Sequence, residues 1–427
     1  MKKIFLYLLL FFFVISGSNV SAESKNKETY ELLDLFGQIF DRVRSSYVEE
    51  ITDEEIIEKA IDGMLTGLDP HSGYMNEEIW EEMQLDTSGK FGGLGIEITM
   101  EEGFVKVISP IEDTPAYRAG ILAGDYIIQI DETPVFGLTL NEAVELMRGK
   151  KGESITITIS REGIEPFDVE IVRDIIKIQS VKNDIFDNVG YLRITSFTEQ
   201  TEVGLINSIN SIKKELDNKE VGYILDLRSN PGGLLTQAVK VADIFLEQGE
   251  IVSTRGRKNI DMQRYRAKPG DLIKYKPLVI IINGGTASAS EIVAGAIQDH
   301  KRGIIIGTKS FGKGSVQTII PFEKSNNKVA GIRLTTARYY TPSGESIQGK
   351  GIEPDIIIEQ GNFEARNFRR ISESDLKGSL DAESESNQEN ESEELTPQEE
   401  RLAIDFQLAR AVDLIKGLGI YKESFSQ

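Results

Sequence analysis

The chain of 427 residues has no cysteine, which excludes thiol catalysis, disulfide staples and cysteine-ligated metals. Histidine is nearly as scarce, with only His71 and His300 present, so a search for a Ser-His-Asp arrangement is short. His300 ends a helical stretch that begins at Ser288, roughly 18 Å away at about 1.5 Å per residue, and is beyond hydrogen-bond reach of it. His71 lies in the loop Asp69-Pro70-His71-Ser72-Gly73; it could reach a cleft only if the N-terminal helices folded into one, and it reads as a turn histidine. Basic charge is also short, 48 Lys and Arg against 69 Asp and Glu, a net of -21. That balance repels phosphate backbones, and no basic stripe interrupts it, so nucleic acid is excluded as a partner. No apolar run is long enough to span a bilayer, which takes about 20 residues. The longest near the start, Ile4 to Ile15, follows Lys2 and Lys3 and precedes small residues ending Val20-Ser21-Ala22. Such a pattern predicts a signal peptide over residues 1–22 and an exported protein.

What is present divides into blocks. Over residues 28–80 the apolar positions Leu32, Leu33, Phe36, Ile39, Phe40, Val43 and Tyr47 recur at helical spacing. A second helix is predicted after Thr52 and Glu55, which form a capping-box pattern, with Asp69-Pro70 ending it. Two such helices bury little alone and suit contacts between copies of the chain. Residues 88–165 change to short strands, Val105 to Ile108, Tyr126 to Ile130 and Ser154 to Ile159, with a helix from Leu140 to Arg148.

From 176 to 360 strands alternate with helices, which predicts an α/β layer. The continuous apolar runs Tyr223-Ile224-Leu225 and Val279-Ile280-Ile281-Ile282 suit strands covered on both faces. Residues 361–400 turn acidic, Asp381 to Glu400 holding nine acids and no base, and read as a solvated spacer. Helical periodicity returns over 401–420 with Leu402, Phe406, Ala409 and Val412; this helix must dock somewhere, and a partner subunit is the expected place.

Chemistry concentrates in two loops. Gly284-Gly285-Thr286-Ala287-Ser288-Ala289-Ser290-Glu291 joins a strand to a helix whose unpaired amides favour a developing oxyanion. Ser288 with Glu291 is also a capping box, so local pattern leaves capping and catalysis both open. Lys313, between Gly312 and Gly314, could serve as a base if burial lowered its pKa from the reference value near 10.4. The stretch from Gly307 to Lys313 nearly matches a phosphate-binding loop. It fails because Gly314 stands where a hydroxyl should hold magnesium, and because Val316 to Pro321 reads as strand rather than helix.

Two resemblances join these pieces. The β-rich block, with Ser109-Pro110, Pro115-Ala116, Ala119-Gly120-Ile121, Gly124-Asp125 and Arg148-Gly149 in order, resembles a PDZ domain. That resemblance makes Gly93-Leu94-Gly95-Ile96 the loop whose amides receive a peptide's terminal carboxylate. The whole resembles the carboxy-terminal processing proteases, tail-specific relatives in peptidase family S41. The motifs are Leu68-Asp69-Pro70-His71-Ser72, Leu225-Asp226-Leu227-Arg228-Ser229-Asn230-Pro231-Gly232-Gly233, Thr286-Ala287-Ser288-Ala289-Ser290-Glu291, Phe311-Gly312-Lys313-Gly314 with Gln317, and Tyr340-Thr341-Pro342-Ser343-Gly344.

The resemblance implies an α/β protease core of the crotonase/ClpP-like kind with a PDZ domain and helices at both ends. It makes Ser288 the nucleophile, Lys313 its base and Gln317 the residue orienting the lysine. It draws the oxyanion hole from the Ala289 amide and one of Gly232 or Gly233, and gives Arg148 a part in coupling the PDZ domain to the site. No metal or other cofactor is required. The implied partners are protein substrates with apolar C-terminal tails, an activator or adaptor protein, and further copies of the chain. The implied location is the periplasm or the outer face of the bacterial inner membrane, with peripheral membrane association if the leader stays attached. The rival expectation is a PDZ scaffold that binds tails without cutting them.

Overall fold

Thr52 and Glu55 make the expected reciprocal cap: the Glu55 N–H donates to Thr52 Oγ1, and Glu55 Oε2 accepts from the Thr52 N–H at 2.8 Å. The helix so started runs Asp53–Thr66 and follows a longer one, Asn19–Ser46, in the computed structural model. The structure describes residues 19–111, 113–177, 179–323, 329–361 and 396–424. Most of the expected leader and of the acidic spacer lies outside them. Among the described residues no helix is long and apolar enough to cross a membrane.

The chain forms two units, one taking in residues up to Trp80 with Gln317–Thr335, the other Glu81–Val316 with Thr336–Gln427. In the first, the apolar face of Asn19–Ser46 is largely open, Leu32 being 62% exposed, Phe36 47% and Ile39 55%. The second helix stops at Thr66, before Asp69-Pro70, with Gly67 as its C-cap. Asp69 instead ties the following turn. Its carboxylate accepts from the N–H groups of His71 and Ser72 at 2.8 and 3.0 Å and from Ser72 Oγ at 2.8 Å. The turn leads into strand Gly73–Met75, which pairs antiparallel with Gly331–Arg333.

In the second unit the β-rich block forms as read. Strand Ser154–Arg161 points Ile155, Ile157 and Ile159 into a cluster with Val105, Val107, Ile127 and Ile130, while the Ser and Thr between them face outward. Each buried isoleucine is worth about 1.5–3 kcal/mol, and a slip of one residue would expose all three, so the alternation fixes the register. Helix Leu140–Met147 flanks the sheet and begins on a Thr139–Glu142 capping box.

The α/β layer is a six-stranded sheet in the order Val181–Phe186, Val189–Ile194, Gly222–Asp226, Leu278–Ile282, Ile304–Gly307, Ile356–Ile357. The first pair is antiparallel and the rest parallel. Leu278, Ile280 and Ile282 pack toward helices Thr201–Glu215, Leu235–Asp243 and Ala289–Asp299. Val279 and Ile281 face a second cluster with Leu408, Ala411, Val412 and Ile415. This explains the unbroken apolar run and corrects one expectation. The C-terminal helix docks on this chain's own sheet rather than on a partner subunit, because the sheet's second face needs cover. It is also two helices, Pro397–Ile404 and Phe406–Ser424, broken at Asp405.

Candidate active site

Strand Leu278–Ile282 ends in a loop whose last residue, Ser288, is the N-cap of helix Ala289–Asp299, with φ 56° and ψ -112°. A serine held at positive φ carries about 1–3 kcal/mol of strain, so the surroundings must hold it there. They do so at several points. The Ala287 N–H donates to the Asn230 carbonyl at 2.9 Å, and Ser290 Oγ donates to the same oxygen at 3.0 Å. Thr286 Oγ1 donates to the Leu227 carbonyl at 2.8 Å. The glycine turn after strand Gly222–Asp226 is thereby welded to the loop that presents Ser288.

Glu291 is the residue whose full part sequence reasoning missed. Its side chain is wholly buried and does more than cap the helix. Oε2 accepts from the N–H groups of Ser288 at 2.7 Å and Lys313 at 2.9 Å. Oε1 accepts from Ser310 Oγ at 2.6 Å and the Gly312 N–H at 2.7 Å. One carboxyl group thus joins the nucleophile loop to the lysine loop. The same bonds dispose of the phosphate-loop reading, since the amides a phosphate would need are donated to Glu291, and a strand, Ser315–Glu323, follows.

Ser288 is 6% exposed. The Tyr339 phenol, also unforeseen, is buried beside it, and that burial pushes its pKa up to about 12 against the opposing influence of the Ser288 side chain. Lys313 is half-buried, and its loop is fixed further by Gly314, whose carbonyl accepts from the Tyr339 N–H at 2.7 Å. His300 has a structural task far from this chemistry: its Nε2 is 2.7 Å from the Glu250 carbonyl oxygen.

Gly232 and Gly233 have φ of 103° and 136°. A Cβ on Gly232 would stand 2.8 Å from Ser288 Cβ and 2.9 Å from the Ala289 nitrogen, so the turn touches the nucleophile directly. Gly232→Ala is therefore expected to cost at least about 100-fold in kcat by displacing one loop or the other, while thermal melting of the variant shows the core retained. The Gly232 N–H is donated to Asn230 Oδ1 at 2.9 Å. Gln317 belongs to the first unit, where its Nε2 donates to Thr335 Oγ1 at 3.2 Å and Thr335 Oγ1 donates to Asp69 Oδ1 at 3.1 Å. Burial pushes the Asp69 carboxyl up, but hydrogen bonds from Ser72, His71 and Thr335 outweigh it and hold it below the usual carboxylate range.

In the β-rich block, Phe91, Gly93, Leu94, Gly95, Ile98 and Met147 line an apolar pocket of about 90 Å³ beside the glycine loop. Arg148, at the C-cap of helix Leu140–Met147, lies with its guanidinium carbon 5.5 Å from the Phe91 ring centre. Arg173, which the sequence did not single out, is buried. It donates to the Leu146 and Met147 carbonyls, both at 3.0 Å, closing the end of that helix.

Comparison with known proteins places the chain in a family. Residues 188–358 match peptidase family S41, residues 106–161 match the PDZ domain, and residues 14–79 match the activating protease CtpB N-terminal domain. A carboxy-terminal-processing protease of Bartonella bacilliformis is 52% identical over 95% of this chain and 92% of that protein. The carboxy-terminal processing protease CtpA of Bacillus subtilis is 34% identical over 82% of this chain and 74% of its own length. The solved photosystem II D1 C-terminal processing protease is 29% identical, covers 74% of this chain and 86% of its own, and gives a TM-score of 0.44. With kinship of that degree over nearly all its length, and a PDZ domain ahead of the α/β layer, this chain belongs to the carboxy-terminal processing proteases, serine peptidases of family S41.

Proposed function

We propose that the protein is an exported endopeptidase that holds the C-terminal tail of a protein substrate in its PDZ groove and cuts with a Ser288–Lys313 dyad. The observation that carries this reading is the Glu291 carboxyl group, which gathers the backbones of Ser288 and Lys313 on one buried point. Ser288 Oγ attacks the peptide carbonyl while the neutral Lys313 amine takes its proton and passes it to the leaving amine. The resulting acyl-enzyme is cleared by water that Lys313 activates in turn. The Ala289 amide and the Gly233 amide receive the oxyanion; Gly233 is the choice because the Gly232 N–H already has an acceptor in Asn230. Gln317 is assigned to holding the lysine on its place in the motif.

The PDZ groove adds binding energy remote from the scissile bond, with Gly93, Leu94, Gly95 and Ile96 around the terminal carboxylate and Arg148 coupling the groove to the site. The core is read as the crotonase/ClpP-like kind. The charged, apolar leader supports export to the periplasm or outer face of the inner membrane, and peripheral attachment where it is retained. The open apolar face on Asn19–Ser46 suits assembly of several copies, and an activator or adaptor protein is a further partner.

The test is a pair of peptides with the same apolar C-terminal residues, one ending in a free carboxylate and one amidated. The amide is expected to be cut about tenfold less efficiently, through KM, and a fluorophosphonate is expected to label Ser288, as read by peptide mass spectrometry. Equal cleavage of the two peptides would remove the carboxylate from recognition, and labelling elsewhere would remove Ser288 from the chemistry.

A further inference from the structure

The break between the last two helices points back at the catalytic turn. Arg228 follows strand Gly222–Asp226 and begins the segment that ends at Gly232-Gly233. Its side chain is held, largely but not fully buried, between two carboxylates. Nε and Nη2 donate to Asp226 at 3.0 and 2.6 Å, and Nη1 and Nη2 donate to the two oxygens of Asp405 at 2.8 and 2.7 Å, a bidentate pair. Asp405 also accepts the Leu408 N–H at 3.1 Å, at the start of the helix that covers the sheet. Nη1 of Arg228 reaches Gln407 Oε1 as well, at 3.1 Å.

On its other side Arg228 adjoins the welded loops. The Ser229 N–H donates to Asn283 Oδ1 at 2.8 Å, and Asn230 carries the bonds to Ala287, Ser290 and Gly232 described above. Asp405 is therefore joined by hydrogen bonds to Arg228, and Arg228, two residues along the backbone, to Asn230, whose carbonyl accepts from Ala287 and Ser290 on either side of Ser288.

We propose that Asp405 is a positioning residue for the protease reaction: by clamping Arg228, the docked C-terminal helix sets the glycine turn at the distance from Ser288 that the oxyanion needs. This rests on the reading of Ser288 as nucleophile and adds to it a requirement from the far end of the chain. A purely structural Asp405 would stabilise the helix without preference for the turn. The coupled one changes the chemical step and leaves tail binding alone, because the PDZ groove shares none of these bonds.

Full-length Asp405→Ser keeps an oxygen able to cap the Leu408 N–H while removing the bidentate partner of Arg228. Val412→Ala loosens the same helix on its sheet side without touching Arg228. Cleavage of a peptide with a free apolar C-terminus is measured for each beside the Tm, with Ser288→Ala as the blank. Asp405→Ser is expected to lower kcat about 10- to 100-fold, the scale of a sub-ångström to 1 Å misplacement, with KM within about twofold. Val412→Ala is expected to lose Tm and keep kcat.

Unchanged kcat in Asp405→Ser, or loss of kcat in step with Tm in both variants, overturns the proposal. Asp405→Asn, which keeps the side-chain volume, is read by the same criteria and decides the matter if Asp405→Ser does not fold. Activity surviving in Ser288→Ala would overturn the nucleophile assignment itself, an outcome distinct from normal kcat in an Asp405 variant whose Ser288→Ala counterpart is dead.

Discussion

Ser288→Ala is expected to lower kcat by roughly 10,000-fold or more while the protein folds and binds tails as before. The backbone geometry supports this separation. The bond from residue 288 to Glu291 uses a main-chain N–H, which alanine keeps, and alanine is strained at φ 56° no more than serine is. Only the hydroxyl is lost. Lys313→Ala should fall to a similar level, because a hydroxyl without its base is a weak nucleophile at neutral pH. The double variant should be scarcely worse than either single one, since groups that act in one step are not additive. Single-turnover cleavage of a tail peptide, with a peptide-binding titration alongside, checks all three. Additive losses would mean that the two side chains act in separate steps.

Glu291→Ala is the second large effect, and here stability and activity fall together. Deletion of the carboxyl group strips acceptors from the Ser288, Gly312 and Lys313 N–H groups and from the Ser310 hydroxyl. Each buried donor left unpaired costs about 1–3 kcal/mol, so a net loss of about 3–5 kcal/mol is expected once water refills part of the space. Release of the strained Ser288 backbone should cost about 100-fold in kcat.

Glu291→Gln separates shape from acceptor count. Its amide group can face Ser310, whose hydroxyl can reverse and accept, but it then turns a donor toward the Gly312 N–H. The Gly312 N–H loses its acceptor and the Ser310 hydroxyl proton must find another, two donors displaced instead of four, and the expected stability loss is about 1–3 kcal/mol. Denaturant unfolding and steady-state kinetics on the two variants give the comparison. A glutamine variant as damaged as the alanine one would show that more than the count of acceptors is at stake.

The contrast between these two residues shows where sequence reasoning reached and where it stopped. Strands Tyr126–Ile130 and Leu278–Ile282 have the limits their apolar runs suggest, because their side chains face closed clusters. Ser288 stands at the helix start where its capping pattern put it. That pattern spans three residues, however, whereas the bonds from Glu291 to Ser310, Gly312 and Lys313 span 19 to 22 and exist only once a strand has returned beside its neighbour.

Helix Glu77–Ser88 buries no residue and so shows no apolar stripe to read. Strand Val329–Tyr340 is half-open along much of its length, with charged and hydroxyl side chains interleaved, and has neither of the usual signatures. Arg228 lay inside a quoted motif, yet its partner Asp405 is 177 residues away across the acidic stretch, a distance at which no local period carries information. Ser290, two positions on in the same small-residue stretch, differs physically from Ser288, since its hydroxyl is spent on the Asn230 carbonyl.

The late arrival of the helix over the sheet's second face bears on how the molecule is made. Ile306 on the sheet and Leu408 above it are 102 positions apart. At a synthesis rate of about 5–20 residues per second, the greasy side of a newly formed sheet waits about 5–20 s for its lid. During that interval it is an open apolar surface, so the young polypeptide is expected to be most prone to aggregation before Leu408 has been made.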